Sequence, residues 1–426
     1  MGITGASRWT PWRRPAALLV GALAGCTSGS VPARPTAAPS PASHEVEIRI
    51  GLSVGAGSAT VGGGGAVAVN EPDGSRIAII PGGEGWQVTV AGPGLVLTSP
   101  NGWVSPRLEA VTLAATDPRA PLWVNGKAYR GVGEVLRDRT GLTVVNRLGM
   151  ESYLLGVVSA EMGRRTPVEQ AALRAQAVVS RTYALKNLRR WRSEAFDLYG
   201  TVADQAYGGV AAETAEGRAA VSETRGRVLT YGGALIEAFY FSTCGGRTAE
   251  GYEVFRGAVR PYLRSVSDLN ESGSAYCSIS PRFRWREEWS GEALRATLQR
   301  NLPLVAEAGN APIGMVIDVR VTQRSASGRV EQLSIALGGT EVRVDGHARI
   351  RQVLRPPSGQ LLRSTAFSLM ATGAGRNVTN LVVDGVGAGH GVGLCQWGAV
   401  GRARAGQAYQ QILAAYYPGT RLERRY

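Results

Sequence analysis

The 426-residue sequence has no lysine-rich block and no basic stretch interleaved with aromatics, although its formal net charge is +14 and its isoelectric point lies near 10.1. Arginine has displaced lysine and carries the excess, so a nucleic-acid partner is not expected. A surface of this sign favours other polyanions, such as anionic lipid headgroups and cell-wall polymers. No apolar run is long enough to span a bilayer as a helix; the segment at residues 16–24 is too short. No internal repeat is present. Cysteine and histidine are scarce, and the wide spacing of Cys244, Cys277, Cys395 and His390 is not a recognised ligand pattern, so neither metal nor cofactor is expected, although a Cys3His site is conceivable. Glycine and proline are abundant, at 57 and 21 residues, which points to many turns and short strands. The 44% of hydrophobic residues can build a sizeable core, and the length allows two or three domains.

Residues 1–26 read as a targeting segment: Arg8, Arg13 and Arg14 precede the short apolar stretch, which ends in Leu23-Ala24-Gly25-Cys26. This end resembles the lipobox of bacterial lipoproteins, which implies lipidation at Cys26; an ordinary secretory signal is the alternative. Residues 27–43 are rich in Pro, Ala and Ser and read as an extended tether. Together they place the folded part outside the membrane, anchored to its outer face.

From residue 44 to 146 the pattern alternates with period two between turn signals such as Pro72-Asp73-Gly74, as in Val46-Glu47-Ile48-Arg49-Ile50. This part is expected to be antiparallel sheet. Residues 147–282 hold the helical centre. There Thr166-Pro167-Val168-Glu169 forms a capping box with Pro at the first helical position, and Leu173, Ala177, Ala184 and Leu188 follow at helical spacing. Glu161 sits just before this start, at the end of an apolar segment, with Arg174 and Arg181 on one face of the neighbouring helix. Its carboxyl is either desolvated, which raises its pKa, or paired with arginine, which lowers it. A structural ion pair is the plain alternative to a functional acid.

Residues 213–223 read as a short helix and 226–241 as a hairpin turning at Gly232-Gly233, leading into Ser242-Thr243-Cys244-Gly245-Gly246. Residues 283–384 are expected to form a β-rich insertion or second subdomain, with a helix over 290–301, strands at 316–321, 330–336 and 341–344, and a short helix at 348–354. Residues 385–426 comprise a loop with five glycines around His390 and a C-terminal helical part. The glycines let backbone approach something closely. The fold class expected is α+β: a mostly antiparallel core with a central helical pair packed across it.

Residues 151–187, the STCGG loop and Gly389-His390-Gly391-Val392-Gly393-Leu394-Cys395-Gln396-Trp397-Gly398-Ala399, in this order, resemble the SpoIID/LytB family over roughly residues 46–424. The resemblance implies a lytic transglycosylase of peptidoglycan. One Glu protonates the glycosidic oxygen between N-acetylmuramic acid and N-acetylglucosamine, then acts as base towards the C6 hydroxyl, leaving a 1,6-anhydro end. Ordinary glycoside hydrolases pair two carboxylates instead.

The family's Glu-Met motif falls on Glu161-Met162, its basic helix residue on Arg174, and its next motif on Gln176, Arg181 and Tyr183. Gly163 stands where the family commonly has Pro, and Arg174 where it commonly has Lys. His390 is expected to line the groove or fix the loop, without a role in proton transfer. Gln396 is expected to fix the loop or contact glycan, and Ser242 to bind sugar hydroxyls or cap a turn. Zinc, which some sporulation members bind near the loop before the hairpin, is not carried over, because residues 201–208 contain neither His nor Cys. For an exported chain a Cys244–Cys277 disulfide is expected, with Cys395 a free thiol. Some family members are amidase enhancers, so a non-catalytic peptidoglycan-binding partner of a cell-wall amidase is the competing reading; both place the groove between Glu161 and the His390 loop.

Overall fold

A computed structural model of the chain describes residues 45–190, 194–255, 257, 259–305, 313–375 and 377–426. The signal segment, Cys26 and the tether lie outside them. Among the described residues no helix is long and apolar enough to cross a membrane. The class is α+β, as expected.

Period-two alternation becomes sheet for the usual reason. In Glu47–Ala56, Ile48 and Ile50 face the core while Glu47 and Arg49 face outward. This strand pairs antiparallel with Leu142–Gly149, with Ile48 opposite Leu148 and Ile50 opposite Asn146. The two lie within a seven-stranded sheet, antiparallel except where Glu47–Ala56 meets the short strand Leu198–Tyr199 in parallel. A five-stranded antiparallel sheet made from Ser58–Gly63, Gly85–Ala91, Gly94–Thr98, Leu122–Val124 and Lys127–Tyr129 shares the same hydrophobic core.

Helix α1 (Met150–Met162) follows directly from the strand Leu142–Gly149. It is apolar nearly all round: Met150, Tyr153, Leu154, Val157 and Val158 are wholly buried. Such a helix is held from several sides rather than along one stripe. It ends at Gly163, whose φ of 70° is left-handed and whose N–H donates to Ser159 O at 2.9 Å. Proline, fixed near φ −65° and lacking an N–H, has no place in this termination. The departure from the family's Pro is therefore a different way of stopping the helix, one that leaves Glu161 on its last turn.

The capping segment forms as a single 3-10 turn, Pro167–Glu169, and α2 (Gln170–Lys186) continues from it. The Glu169 carboxylate accepts from the Thr166 N–H at 3.0 Å and from Arg404 Nη2 at 2.7 Å. Leu173, Ala177 and Ala184 are buried as their spacing requires. Helix α3 (Ala215–Glu223) is capped by Thr214, whose hydroxyl accepts from the Gly217 N–H at 3.0 Å. The hairpin turns at Gly232 and Gly233, both left-handed.

A second cluster of buried residues, running from Trp285 to Val383, packs around Trp289, Leu294, Leu298, Leu333, Ile350 and Leu381. It is built from the sheet Arg284–Ser290, Asn377–Val386 and Phe367–Ala374, the meander Val316–Arg324, Val330–Leu337 and Thr340–Asp345, and the helices Gly291–Asn301 and His347–Val353. The strand Asn377–Val386 leads directly into the glycine-rich loop.

Candidate active site

Glu161 is half-buried, and its partners are a backbone amide, a phenol and a side-chain amide. Oε1 accepts from the Ala206 N–H at 2.7 Å and from Tyr240 Oη at 2.9 Å, while Oε2 faces Gln396 Nε2 at 3.4 Å. Burial raises its pKa above the ordinary carboxyl value; the three hydrogen bonds pull the other way and are outweighed. Of the two outcomes open in the sequence, desolvation wins. With two donors already on Oε1, the proton of the acid form belongs on Oε2, the oxygen with the single long contact. Glu161 therefore has one oxygen held and one able to exchange a proton.

The arginines expected beside Glu161 are committed elsewhere. Arg181 is fully buried and forms a fork to Glu151, with Nε to Oε1 at 2.8 Å and Nη2 to Oε2 at 2.6 Å. Its Nη1 donates to Arg227 O at 3.1 Å, and Glu151 also accepts from Tyr426 Oη at 2.6 Å. This knot ties α1 and α2 to the C-terminus, so Arg181 does not bind substrate. Arg174 pairs with Glu223 across α2 and α3 at the surface. Gln176 is wholly buried and donates to Ser180 Oγ at 2.9 Å, so it too is structural. One face of a helix was the right inference for the two arginines; what α2 packs against decided their partners.

Tyr183 contributes indirectly. Its hydroxyl donates to Asp204 Oδ1 at 2.8 Å, and Asp204 Oδ2 accepts from the Tyr199 N–H at 2.9 Å. These contacts hold the loop at residues 201–208, which supplies Ala206 and Gln205 to the site. Gln205 is wholly buried and completes a one-way chain of donors: Tyr153 Oη to Gln205 Oε1 at 3.2 Å, Gln205 Nε2 to Tyr240 Oη at 3.2 Å, then Tyr240 Oη to Glu161. Tyr240, Gln205 and Ala206 were not singled out from the sequence. The available signal was two polar, aromatic-containing segments, DQAY and YFST, flanking the helical centre.

His390 fixes the glycine-rich loop. Val392 N–H donates to Nδ1 at 3.1 Å, which leaves the proton on Nε2, and that nitrogen donates to Tyr240 O at 2.8 Å. Its ring packs among Phe239, Phe241 and Phe255, and burial lowers its pKa to about 4, so it is neutral at physiological pH. The loop's glycines approach the protein's own neighbouring strand: a Cβ on Gly393 (φ 79°) would stand 2.0 Å from Phe239 O. A short parallel pairing of Tyr240–Phe241 with Leu394–Cys395 results. His390 thus secures the backbone of Tyr240, whose hydroxyl holds Glu161.

Gln396 opens the helix Gln396–Arg404 and is the predicted residue that does reach Glu161. Trp397, next to it, stacks under the Arg165 guanidinium at 4.4 Å. Ser242 is half-buried; its carbonyl accepts from the Trp397 N–H at 3.0 Å and its hydroxyl lies 3.2 Å from that of Thr243. The expected Cys244–Cys277 pair is adjacent but unbonded: the Sγ atoms are 3.4 Å apart, and Cys244, Cys277 and Cys395 are all free. Cavities of about 550 and 590 Å3 open elsewhere, one beside Arg284 and Arg324 and one beside Asn270 and Arg404; neither is lined by Glu161.

Residues 138–231 match the family described as Stage II sporulation protein, and residues 269–393 match a domain of unknown function, DUF8618. An uncharacterised protein of Brachyspira hyodysenteriae is 31% identical over 298 residues, covering 70% of this chain and 72% of that protein. The chain belongs to the SpoIID/LytB family. Stage II sporulation protein D of Bacillus subtilis is 28% identical over 299 residues, covering 67% of this chain and 77% of the relative. The amidase enhancer of Bacillus subtilis is 28% identical over 291 residues, covering 63% of this chain and 40% of the relative. The matched SpoIID segment holds Glu161 and both central helices, whereas Tyr240, His390 and Gln396 come from beyond it.

Proposed function

We propose that this SpoIID/LytB chain is an extracytoplasmic peptidoglycan lytic transglycosylase in which Glu161 acts as acid and then as base. The observation that carries this reading is the state of Glu161: a carboxyl with a pKa raised by burial, one oxygen fixed by Ala206 and Tyr240, the other facing Gln396. In the acid step the Oε2 proton passes to the glycosidic oxygen as the C1–O bond breaks. In the base step the same carboxylate takes the proton of the C6 hydroxyl as oxygen bonds to C1. The carboxyl ends as it began and no water is consumed. A pKa tuned upward suits a single group that must do both.

The resemblance extends the proposal to peptidoglycan strands as substrate, with Ser242 and Gln396 contacting glycan. The sequence motif extends it to lipid attachment at Cys26 on the outer face of the membrane, a tether over residues 27–43, and folded segments bounded at 146, 282 and 384. Mass spectrometry of denuded glycan incubated with the chain tests the chemistry. Wild type should release peptide-free disaccharides with 1,6-anhydro ends and Glu161→Gln should not, while still sedimenting with glycan.

The similarity to an amidase enhancer favours a second reading, a glycan-binding protein that stimulates a cell-wall amidase. On that reading wild type releases no anhydro ends, and Glu161→Gln stimulates the amidase as well as wild type does.

A further inference from the structure

Away from the carboxyl site, four buried side chains with ligating atoms converge: Cys244, Asp268, Cys277 and Cys395, whose three Sγ atoms and one carboxylate oxygen all lie within 4.8 Å of one another. We propose that they form a tetrahedral, thiolate-rich zinc site. Zinc–sulfur bonds of about 2.3 Å require sulfur atoms about 3.8 Å apart around a tetrahedron. The Cys244–Cys277 separation of 3.4 Å and the Cys244 Sγ to Asp268 Oδ2 separation of 3.2 Å are of that size. All four residues are at most 2% exposed, so solvent does not compete for the ligand positions.

The surroundings are those of a ligand set. Asp268 uses Oδ1 for Arg402 Nε at 3.0 Å and Tyr416 Oη at 2.7 Å, leaving Oδ2 turned to the sulfurs. Outer partners of this kind orient a metal-binding carboxylate. The sulfurs accept backbone N–H groups: Cys395 Sγ from Cys244 at 3.1 Å and from Gly398 at 3.2 Å, and Cys244 Sγ from Gly246 at 3.3 Å. Donors on sulfur favour thiolate, the form that binds zinc. Three thiolates and a carboxylate would leave the zinc site with excess negative charge, which Arg402 and the N-terminus of the helix Gln396–Arg404 offset. Three thiolates with one oxygen suit zinc better than magnesium or calcium, which take oxygen alone.

Ligand spacing hid the site, because the residues come from three segments of the chain. Cys244 belongs to the loop after Tyr240–Phe241, Asp268 and Cys277 to the long loop that follows, and Cys395 is the N-cap of the helix that begins with Gln396. A metal here would clamp those segments together behind the site and fix Gln396, one of the three donors to Glu161.

The full chain, purified without chelator or reductant, should carry about one zinc, measured by inductively coupled plasma mass spectrometry, and Cys277→Ser and Asp268→Asn should each reduce this to near none. Should those variants fail to fold, wild type stripped with a chelator and titrated with Co2+ should take up one equivalent, with a sulfur-to-cobalt charge-transfer band and the visible bands of tetrahedral cobalt. A folded chain with only trace zinc that gives no such bands overturns the proposal. So does an intact mass lower by two hydrogens with Cys244 and Cys277 joined, or full zinc retained by both variants.

Discussion

Arg181 is the residue on which sequence and structure part, and its replacement separates a structural part from a substrate contact. In Arg181→Met the fork to Glu151, with contacts of 2.8 and 2.6 Å, disappears and a carboxylate on a side chain only 8% exposed is left without its cation. Removing one partner of a buried ion pair costs about 3–5 kcal/mol, because the remaining charge stays desolvated. Tyr426 Oη and the Gly226 N–H still donate to Glu151, which favours the low end of that range. For a chain of this size the loss should lower the apparent melting midpoint by about 4–6 °C. Differential scanning fluorimetry reads the midpoint, and co-sedimentation with purified glycan reads binding in the folded fraction. Adding Glu151→Gln to Arg181→Met removes the stranded charge and should recover part of the lost stability, since the two sites are directly coupled. An Arg181→Met protein with an unchanged midpoint and lost glycan binding would refute this reasoning and restore the residue to the groove.

Tyr240→Phe removes a donor that favours ionised Glu161, so the carboxyl pKa should rise further and the alkaline limb of the pH–activity profile should move to higher pH, while Glu161→Gln abolishes activity at every pH. His390 is held neutral with a pKa near 4 against an ordinary 6.5, so the unfolded chain binds its proton first. Stability from this group is intact above about pH 6.5 and falls as pH drops towards 4, by up to about 3 kcal/mol. Denaturant titrations at several pH values should show a shallower acid loss in His390→Gln than in wild type. Gly163→Ala should cost about 1–3 kcal/mol, because φ 70° with ψ −178° is a region that essentially only glycine occupies, and Gly163→Pro about 3 kcal/mol or more by also losing the N–H bond to Ser159, both read by chemical denaturation.

Local patterns in the sequence were enough for the elements around the site. The capping residues Thr166 to Glu169 start α2, the alternation around Ile48 and Ile50 makes a half-buried strand, and the paired glycines 232 and 233 turn a hairpin. Each depends on interactions within a few residues, which the order of side chains states directly. The motif around Glu161 likewise marked that carboxyl without reference to any fold. Residues 367–386 were missed as a strand pair, because Phe367–Ala374 shows little apolar contrast until it pairs with Asn377–Val386.

Tertiary structure alone settled which groups share a space. Arg174 and Arg181 lie on the face their spacing requires, yet α3 brings Glu223 to one and α1 brings Glu151 to the other, so neither cation meets Glu161. Tyr240 and Gln396 stand 79 and 235 residues from Glu161 and become its partners through the parallel pairing at the glycine-rich loop. The pKa of Glu161, the tautomer of His390 and the meeting of Cys244, Asp268, Cys277 and Cys395 follow from burial and distance across separate segments. Those are properties of packing, and no short window of the chain contains them.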